Sequence, residues 1–266
     1  MVFNAKNMVN TEVMSGLPRN KQSSANTEKE IEYYQNLEKF FQSSIGSNVE
    51  KLGNFPKYVP RQSLAIFLAK YEIFKKIQNI QGSIVECGVL FGGGLMTFAQ
   101  LSAILEPFNY QRRIIGFDTF SGFPTLSNQD TGSSSEFAHD GGLNIDSYED
   151  LKKCIELYDA NRFINHLQKV ELVKGDANKT MPKYIEDNPH TIVSLLYIDF
   201  DIYEPTKTAL ETFVPRMPKG SVIAFDELNA KSFVGETNAV IDTIGIKNLK
   251  IERFNFDPNR CYAVLE

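Results

Sequence analysis

The chain has 266 residues, 42% of them hydrophobic and 23% charged, with 28 basic against 33 acidic side chains. These values exclude a fibrous or wholly disordered chain, and a net charge of −5 leaves no basic excess for coating a nucleic acid. Cys87, Cys154 and Cys261 lack CxxC spacing and no apolar run approaches about 18 residues, so a disulfide scaffold, a zinc ribbon and a membrane span are excluded and a reducing cytoplasm is the expected location.

Residues 1–30 are polar, without a sustained period, and are expected to form a mobile arm. The remainder, 31–266, is expected to be one domain with an N-terminal helical cap over 31–80. Ile31, Tyr34, Leu37, Phe40 and Phe41 fall at helical spacing. A second helix opens at Pro60 and carries Leu64, Phe67, Leu68, Tyr71, Phe74 and Ile77 on one stripe.

From residue 82 the pattern changes. Short apolar, β-branched segments (82–89, 113–120, 170–177, 192–200 and 220–227) alternate with helical ones (95–105, 147–157, 180–186 and 205–213). That alternation predicts βαβ units around a parallel sheet. Segments 249–256 and 261–266 flank Asp257-Pro258-Asn259-Arg260, a turn signal that predicts an antiparallel closing hairpin. The expected fold is therefore α/β and Rossmann-like, with seven mostly parallel strands, helices on both faces and extra N-terminal helices. Residues 121–146, polar and rich in Gly and Ser, are too long for an ordinary connection and are expected to be a lid, with Phe123, Phe137 and Leu143 as apolar handholds.

Ligands of open parallel sheets bind beyond the carboxyl ends of the strands. Each of the five predicted parallel strands finishes there on acid: Glu86, Asp118, Asp176, Asp199 with Asp201, and Asp226 with Glu227. After the first strand, Gly88, Gly92, Gly93 and Gly94 miss the G-x-G-x-x-G spacing of a dinucleotide site, and the acid precedes the first glycine. Glu86 is placed to accept from a ligand amine such as that of S-adenosylmethionine, Asp118 from ribose hydroxyls and Asp176 from an adenine amino group. For the glycine-rich stretch after Glu86 a turn packing helix against sheet is the alternative, and for Asp118 and Asp176 a helix or turn cap. Residues two apart on a strand share a face, so Asp199 and Asp201 are expected to look into one cleft, joined by Asp226 and Glu227 from a neighbouring strand about 4.8 Å away. Such carboxylates repel unless protonated or bridged by a cation, and an all-oxygen set suits Mg²⁺ or Ca²⁺ rather than zinc; exposed strand ends are the alternative. His139, His166 and His190 share no metal-binding spacing, and no GxSxG elbow or phosphate loop is present.

The stretches Tyr58-Val59-Pro60-Arg61-Gln62, VECGVLFGGG, GFDTFSGFP, Lys174-Gly175-Asp176, LLYIDFDIYEPTKTALE and GSVIAFDEL occur in that order. Together they resemble the macrocin-type O-methyltransferases, which include sugar-methylating enzymes of the mycinamicin and novobiocin pathways. The resemblance implies a class I S-adenosylmethionine-dependent fold, a magnesium ion and methyl transfer to a hydroxyl of a sugar or glycosylated small molecule. It implies Asp199, Asp226 and Glu227 as metal ligands, Asp201 as general base, and Glu86, Gly88, Asp118, Ser121 and Asp176 as cofactor-binding positions. A homodimer is the corresponding family expectation, with no nucleic-acid or membrane partner. The chain departs from the family where Asp226-Glu227 stands for a frequent Asp-Asp pair. The competing readings are a metal-independent N-methyltransferase and a non-catalytic protein that binds an adenosyl ligand.

Overall fold

In a computed structural model of the chain, the described residues are 27–266. The arm expected over 1–30 lies outside them as far as residue 26; from Thr27 onward the chain is helical, because Thr27 and Glu30 form a reciprocal capping box at the start of α1 (Glu28–Ser43). The chain divides between Ser63 and Leu64 into two compact units. In the first, α1 is followed by α2 (Asn48–Gly53), itself opened by a Ser47–Glu50 capping box. The Tyr58 ring meets those of Phe40 and Phe41 at centroid distances of 5.7 and 5.2 Å.

The second unit takes in most of α3 (Arg61–Ile77) and continues through β1 (Ser83–Cys87), α4 (Gly93–Leu105), β2 (Ile114–Asp118), α5 (Tyr148–Ala160), β3 (Val170–Lys174) and α6 (Ala177–Asp187). Next come β4 (Val193–Ile198), α7 (Tyr203–Phe213), β5 (Val222–Phe225), α8 (Gly235–Thr243), β6 (Ile251–Arg253) and β7 (Cys261–Val264). The strands form one seven-stranded sheet in the order β3-β2-β1-β4-β5-β7-β6. β1 to β5 are parallel, and β7 enters antiparallel between β5 and β6. Both the parallel sheet and the closing hairpin were expected from the sequence.

The order reverses at β1/β4, and ligands of open parallel sheets bind beyond the carboxyl ends of the strands at such a switch point. β1 and β4 are buried along their whole length, as central strands covered on both faces must be. One apolar cluster includes Ile73, Phe74, Ile77, Ile84, Phe98 and Tyr197; the other includes Val85, Phe117, Met181, Leu196, Phe213 and Phe225. Helix α3 departs from its predicted stripe. It buries Ala69, Lys70, Ile73, Phe74 and Ile77, while Phe67 and Leu68 stay exposed; the buried face takes in Lys70, which pairs with a carboxylate described below. At the opposite edge of the sheet, the buried Arg112 guanidinium donates to the carbonyls of Ile77, Ile80 and Gly82, fixing the end of α3 to the start of β1.

Candidate active site

Of the six non-glycine residues with left-handed backbone among the described residues, four stand within four residues of the end of a parallel strand: Leu90 (φ 51°) after β1, Phe120 (φ 54°) after β2, Asp201 (φ 64°) after β4 and Asn229 (φ 68°) after β5. Such residues cost about 1–3 kcal/mol each and persist where the surroundings impose them, which happens most often at functional sites. The carboxyl edge of the sheet is thus marked by backbone strain as well as by acid.

Glu86, on β1, is 1% exposed and pairs with Lys70 Nζ of α3 at 3.3 Å. Its Oε2 has no hydrogen-bond partner, and burial pushes the carboxyl up to about 7 despite the lysine. A Cβ on Gly94 would lie 1.9 Å from Glu86 Oε1, so this acid reaches the first turn of α4 only because glycine stands there. Gly88 has φ 95° and packs on β4: a Cβ there would meet the Asp199 carbonyl oxygen at 1.9 Å. That glycine is required by contact between two loops, whatever ligand approaches them.

Asp118 closes β2 and accepts from the amides of Val89 (2.8 Å), Leu90 (2.9 Å) and Phe120 (2.6 Å). It therefore ties the glycine loop after β1 to its own turn, with one of about four lone-pair sites left for a ligand. Ser121 is exposed on that turn, its amide on Thr119 Oγ1. Asp176 caps α6 through the Asn178 amide and pairs with Lys179 at 3.2 Å. The capping alternative weighed for Asp118 and Asp176 describes their present contacts.

The second group gathers across β4 and β5. The strand ends at Ile198 and the chain turns left-handed at Asp201, so the two-residue alternation expected to align Asp199 with Asp201 does not apply. Their charges interact nonetheless. Burial and then Asp226 hold the Asp199 carboxyl well above its ordinary range; burial and then Asp199 do the same for Asp201, which is 8% exposed. Asp226 is 5% exposed and gives both oxygens to Arg260, each at 2.7 Å; the Tyr197 hydroxyl adds 2.6 Å to Oδ1. Glu227 accepts from Ser232 Oγ at 2.6 Å. Lys70 Nζ also sits 3.3 Å from the Tyr197 ring centroid, completing a buried line of charge from α3 to the residue before β7.

Lys70, Tyr197 and Arg260 were not singled out as site residues from the sequence, whereas Glu236 falls in the 229–237 stretch read as either lining the site or capping the next helix. Arg260 was hidden in a stretch that reads as a hairpin turn. Lys70 left a signal, a cation at helical spacing with Ile73, Phe74 and Ile77. Glu236 is fully buried on α8, its Oε1 accepting from the Glu227 amide at 3.2 Å and its Oε2 unpartnered; burial and Asp226 push its carboxyl up.

The contents of this edge suit an adenosyl ligand. The unpartnered Glu86 Oε2 offers an acceptor, and the direction of a Cβ on Gly93, at the start of α4, is open, with nothing within 4 Å. The carboxylates of the second group also suit a hard cation by chemistry: they are all-oxygen, buried in excess of Lys70 and Arg260, and include the orphaned Glu236 Oε2. They are not assembled as a ligand set, however. Among the described residues no three His, Cys, Asp or Glu side chains are grouped to hold a metal ion, and Asp226, expected as a ligand, is engaged by Arg260.

The 121–146 segment is ordered against the loop after β5. Ser134 and Ser135 amides donate to the carbonyls of Lys231 and Ser232 at 2.9 and 3.1 Å, and the Phe123 and Phe233 rings meet at 5.9 Å. His139 is exposed, with Nδ1 2.9 Å from the Asp140 carbonyl oxygen.

Strand order and acidic edge define a class I methyltransferase fold. A family model described as macrocin-O-methyltransferase (TylF) matches residues 69–247, and the chain belongs to that family. It is 33% identical to the calicheamicin methyltransferase CalS11 over 90% of this chain and 93% of that one, with a TM-score of 0.86. To the apo structure of CalS11, titled a TDP-rhamnose 3'-O-methyltransferase, it is 32% identical over 90% and 95% of the two chains, with a TM-score of 0.78. The O-methyltransferase NovP shares the fold at 18% identity over 76% and 79%, with a TM-score of 0.60. No curated protein sequence matches. The chain is an S-adenosylmethionine-dependent O-methyltransferase. Among the described residues, no helix is long and apolar enough to cross a membrane.

Proposed function

We propose that the acceptor is a hydroxyl of a sugar carried on a nucleotide or a small-molecule glycoside. The likeness to CalS11 over nine-tenths of the chain carries this reading. S-adenosylmethionine, when bound, supplies an electrophilic methyl on sulfur; Glu86, Gly88, Asp118, Ser121 and Asp176 would hold it. Asp201 is the general base. A sugar hydroxyl is a weak nucleophile, and a carboxylate whose proton affinity is raised by burial and by Asp199 is a better acceptor for its proton than one in water. The proton passes from the hydroxyl oxygen to an Asp201 carboxylate oxygen. The strained turn at residue 201 fixes the direction from which that oxygen approaches, and orientation is a large part of such a barrier.

Mg²⁺, where it binds, would take Asp199, Asp226 and Glu227 and would acidify and orient acceptor oxygens. Its capture requires Arg260 to yield Asp226. The Arg260–Asp226 pair favours a second reading, transfer without metal, in which the guanidinium keeps Asp226 neutralised throughout. Incubation with S-adenosylmethionine and TDP-rhamnose, with Mg²⁺ and then with chelator, tests both. An O-methylated sugar that disappears with chelation supports the first reading, and undiminished product supports the second. No O-methylated sugar from folded enzyme that binds S-adenosylhomocysteine, in either condition, would contradict the proposal.

A further inference from the structure

The buried carboxylate of Asp130 belongs to none of the roles above. It lies in the long segment after β2, at the end of a 3₁₀ turn (Asn128–Asp130), and is 4% exposed. Its Oδ2 accepts from the Ser127 amide and hydroxyl, both at 2.8 Å. Its Oδ1 crosses 73 residues of sequence to accept from the amide of Tyr203 at 2.8 Å. Tyr203 is the first residue of α7, and the N-cap of that helix, Ile202, supplies no side-chain bond. A helix start leaves its first amides unsatisfied and favours negative charge, so Asp130 does from outside what an N-cap residue does from within.

That helix start is also the far end of the turn that carries Asp201. The loop after β5 reaches the same point: a Cβ on Gly235 would lie 2.0 Å from Asp130 Oδ1, 2.5 Å from the Tyr203 nitrogen and 2.9 Å from the Ile202 carbonyl carbon. The Val234 amide donates to Ser133 Oγ at 3.2 Å, and Asn238 Nδ2 to the Gln129 carbonyl at 2.7 Å. Three loops therefore meet on one carboxylate oxygen: the long segment, the Asp199–Asp201 turn, and the segment joining Glu227 to Glu236.

We propose that Asp130 is a positioning residue for methyl transfer, holding the left-handed turn at Asp201 by capping α7 from the long loop. The inference rests on the reading of Asp201 as general base, but the cap can be tested apart from it. With S-adenosylmethionine and TDP-rhamnose, Asp130→Ala lowers kcat by about 100-fold, the scale of a small misplacement of reacting groups, and leaves S-adenosylhomocysteine affinity within about threefold. Asp130→Asn, whose amide oxygen can still accept from Tyr203 although its NH2 then faces the Ser127 amide, recovers part of that loss. Hydrogen exchange across residues 199–205 rises at least about tenfold in the alanine variant and stays near wild type in the asparagine one. Should Asp130→Ala fail to fold, Ser127→Ala, which removes the hydroxyl bonded to Asp130 Oδ2, is expected to lower kcat and speed exchange in the same direction by a smaller factor. Unchanged kcat in a folded variant, an asparagine variant no better than alanine, or unchanged exchange at 199–205 would overturn the proposal. A wild-type protein inactive on TDP-rhamnose would count against the acceptor reading alone, and the exchange comparison would still decide the role of Asp130.

Discussion

Asp201, the proposed base for a sugar hydroxyl, has a proton affinity raised by burial and by Asp199 and stands on a left-handed backbone turn. Replacement by Asn removes the proton acceptor at nearly constant volume. Asp201→Asn is expected to lower methyl transfer at least about 100-fold, the lower end of what general-base catalysis contributes, with S-adenosylhomocysteine binding unchanged in a calorimetric titration. Loss of that binding in a folded variant would show that the residue holds the cofactor. Acidic residues at strand ends were legible because chemistry at this edge is punctuated by sequence position. Their partners were not: Arg260 and Asp226 are 34 residues apart, and nothing local joins them. Asp118 shows the converse limit. Its residue type and place were visible, but its three amide contacts depend on how two loops close on each other.

At the scale of elements, the contact between α3 and β1 passes through Lys70 and Glu86, both nearly sealed from water. Glu86 titrates at about 7 in the fold against an ordinary 4.5, so the folded state holds more protons than the unfolded one between those values. Stability from this group is complete below about 4.5 and is lost as pH rises to about 7. Asp199, Asp201 and Glu236 are shifted in the same direction by burial and act with the same sign. Glu50 and Glu252 are lowered, and their opposite effect sets in only toward the acid side of the ordinary carboxylate range. In the presence of chelator, the urea midpoint is therefore expected to rise as pH falls from about 7.5 to about 5.5, each group contributing at most about 1.4 kcal/mol per pH unit. Glu86→Gln should flatten that slope; a midpoint that falls over this range would contradict the assignment. Element type and order followed well from apolar period, since β1 to β5 alternate with helices as predicted. Which face of α3 is buried did not follow, because that face takes in the charged Lys70, paired with Glu86, which an apolar stripe does not reveal.

For the whole molecule, the switch between β1 and β4 divides the carboxyl edge into two halves. Glu86, Asp118 and Asp176 lie on one half, on β1, β2 and after β3, the side proposed for the cofactor. Asp199, Asp201, Asp226, Glu227 and Glu236 lie on the other, around β4, β5 and α8, the side proposed for the acceptor. The division follows from strand order, which sets β2 and β3 on one flank and β4 and β5 on the other. Alternating strands and helices made the fold class legible, whereas the contacts of residues 121–146 with 231–238 were not, because long polar loops carry no period to read. Calorimetric titration with S-adenosylhomocysteine, first with Mg²⁺ and then with chelator, tests the division most directly. Saturable one-to-one binding of similar affinity in both conditions is the predicted result, placing any cation on the acceptor side. Binding abolished by chelation, or no binding by folded protein in either condition, would contradict it.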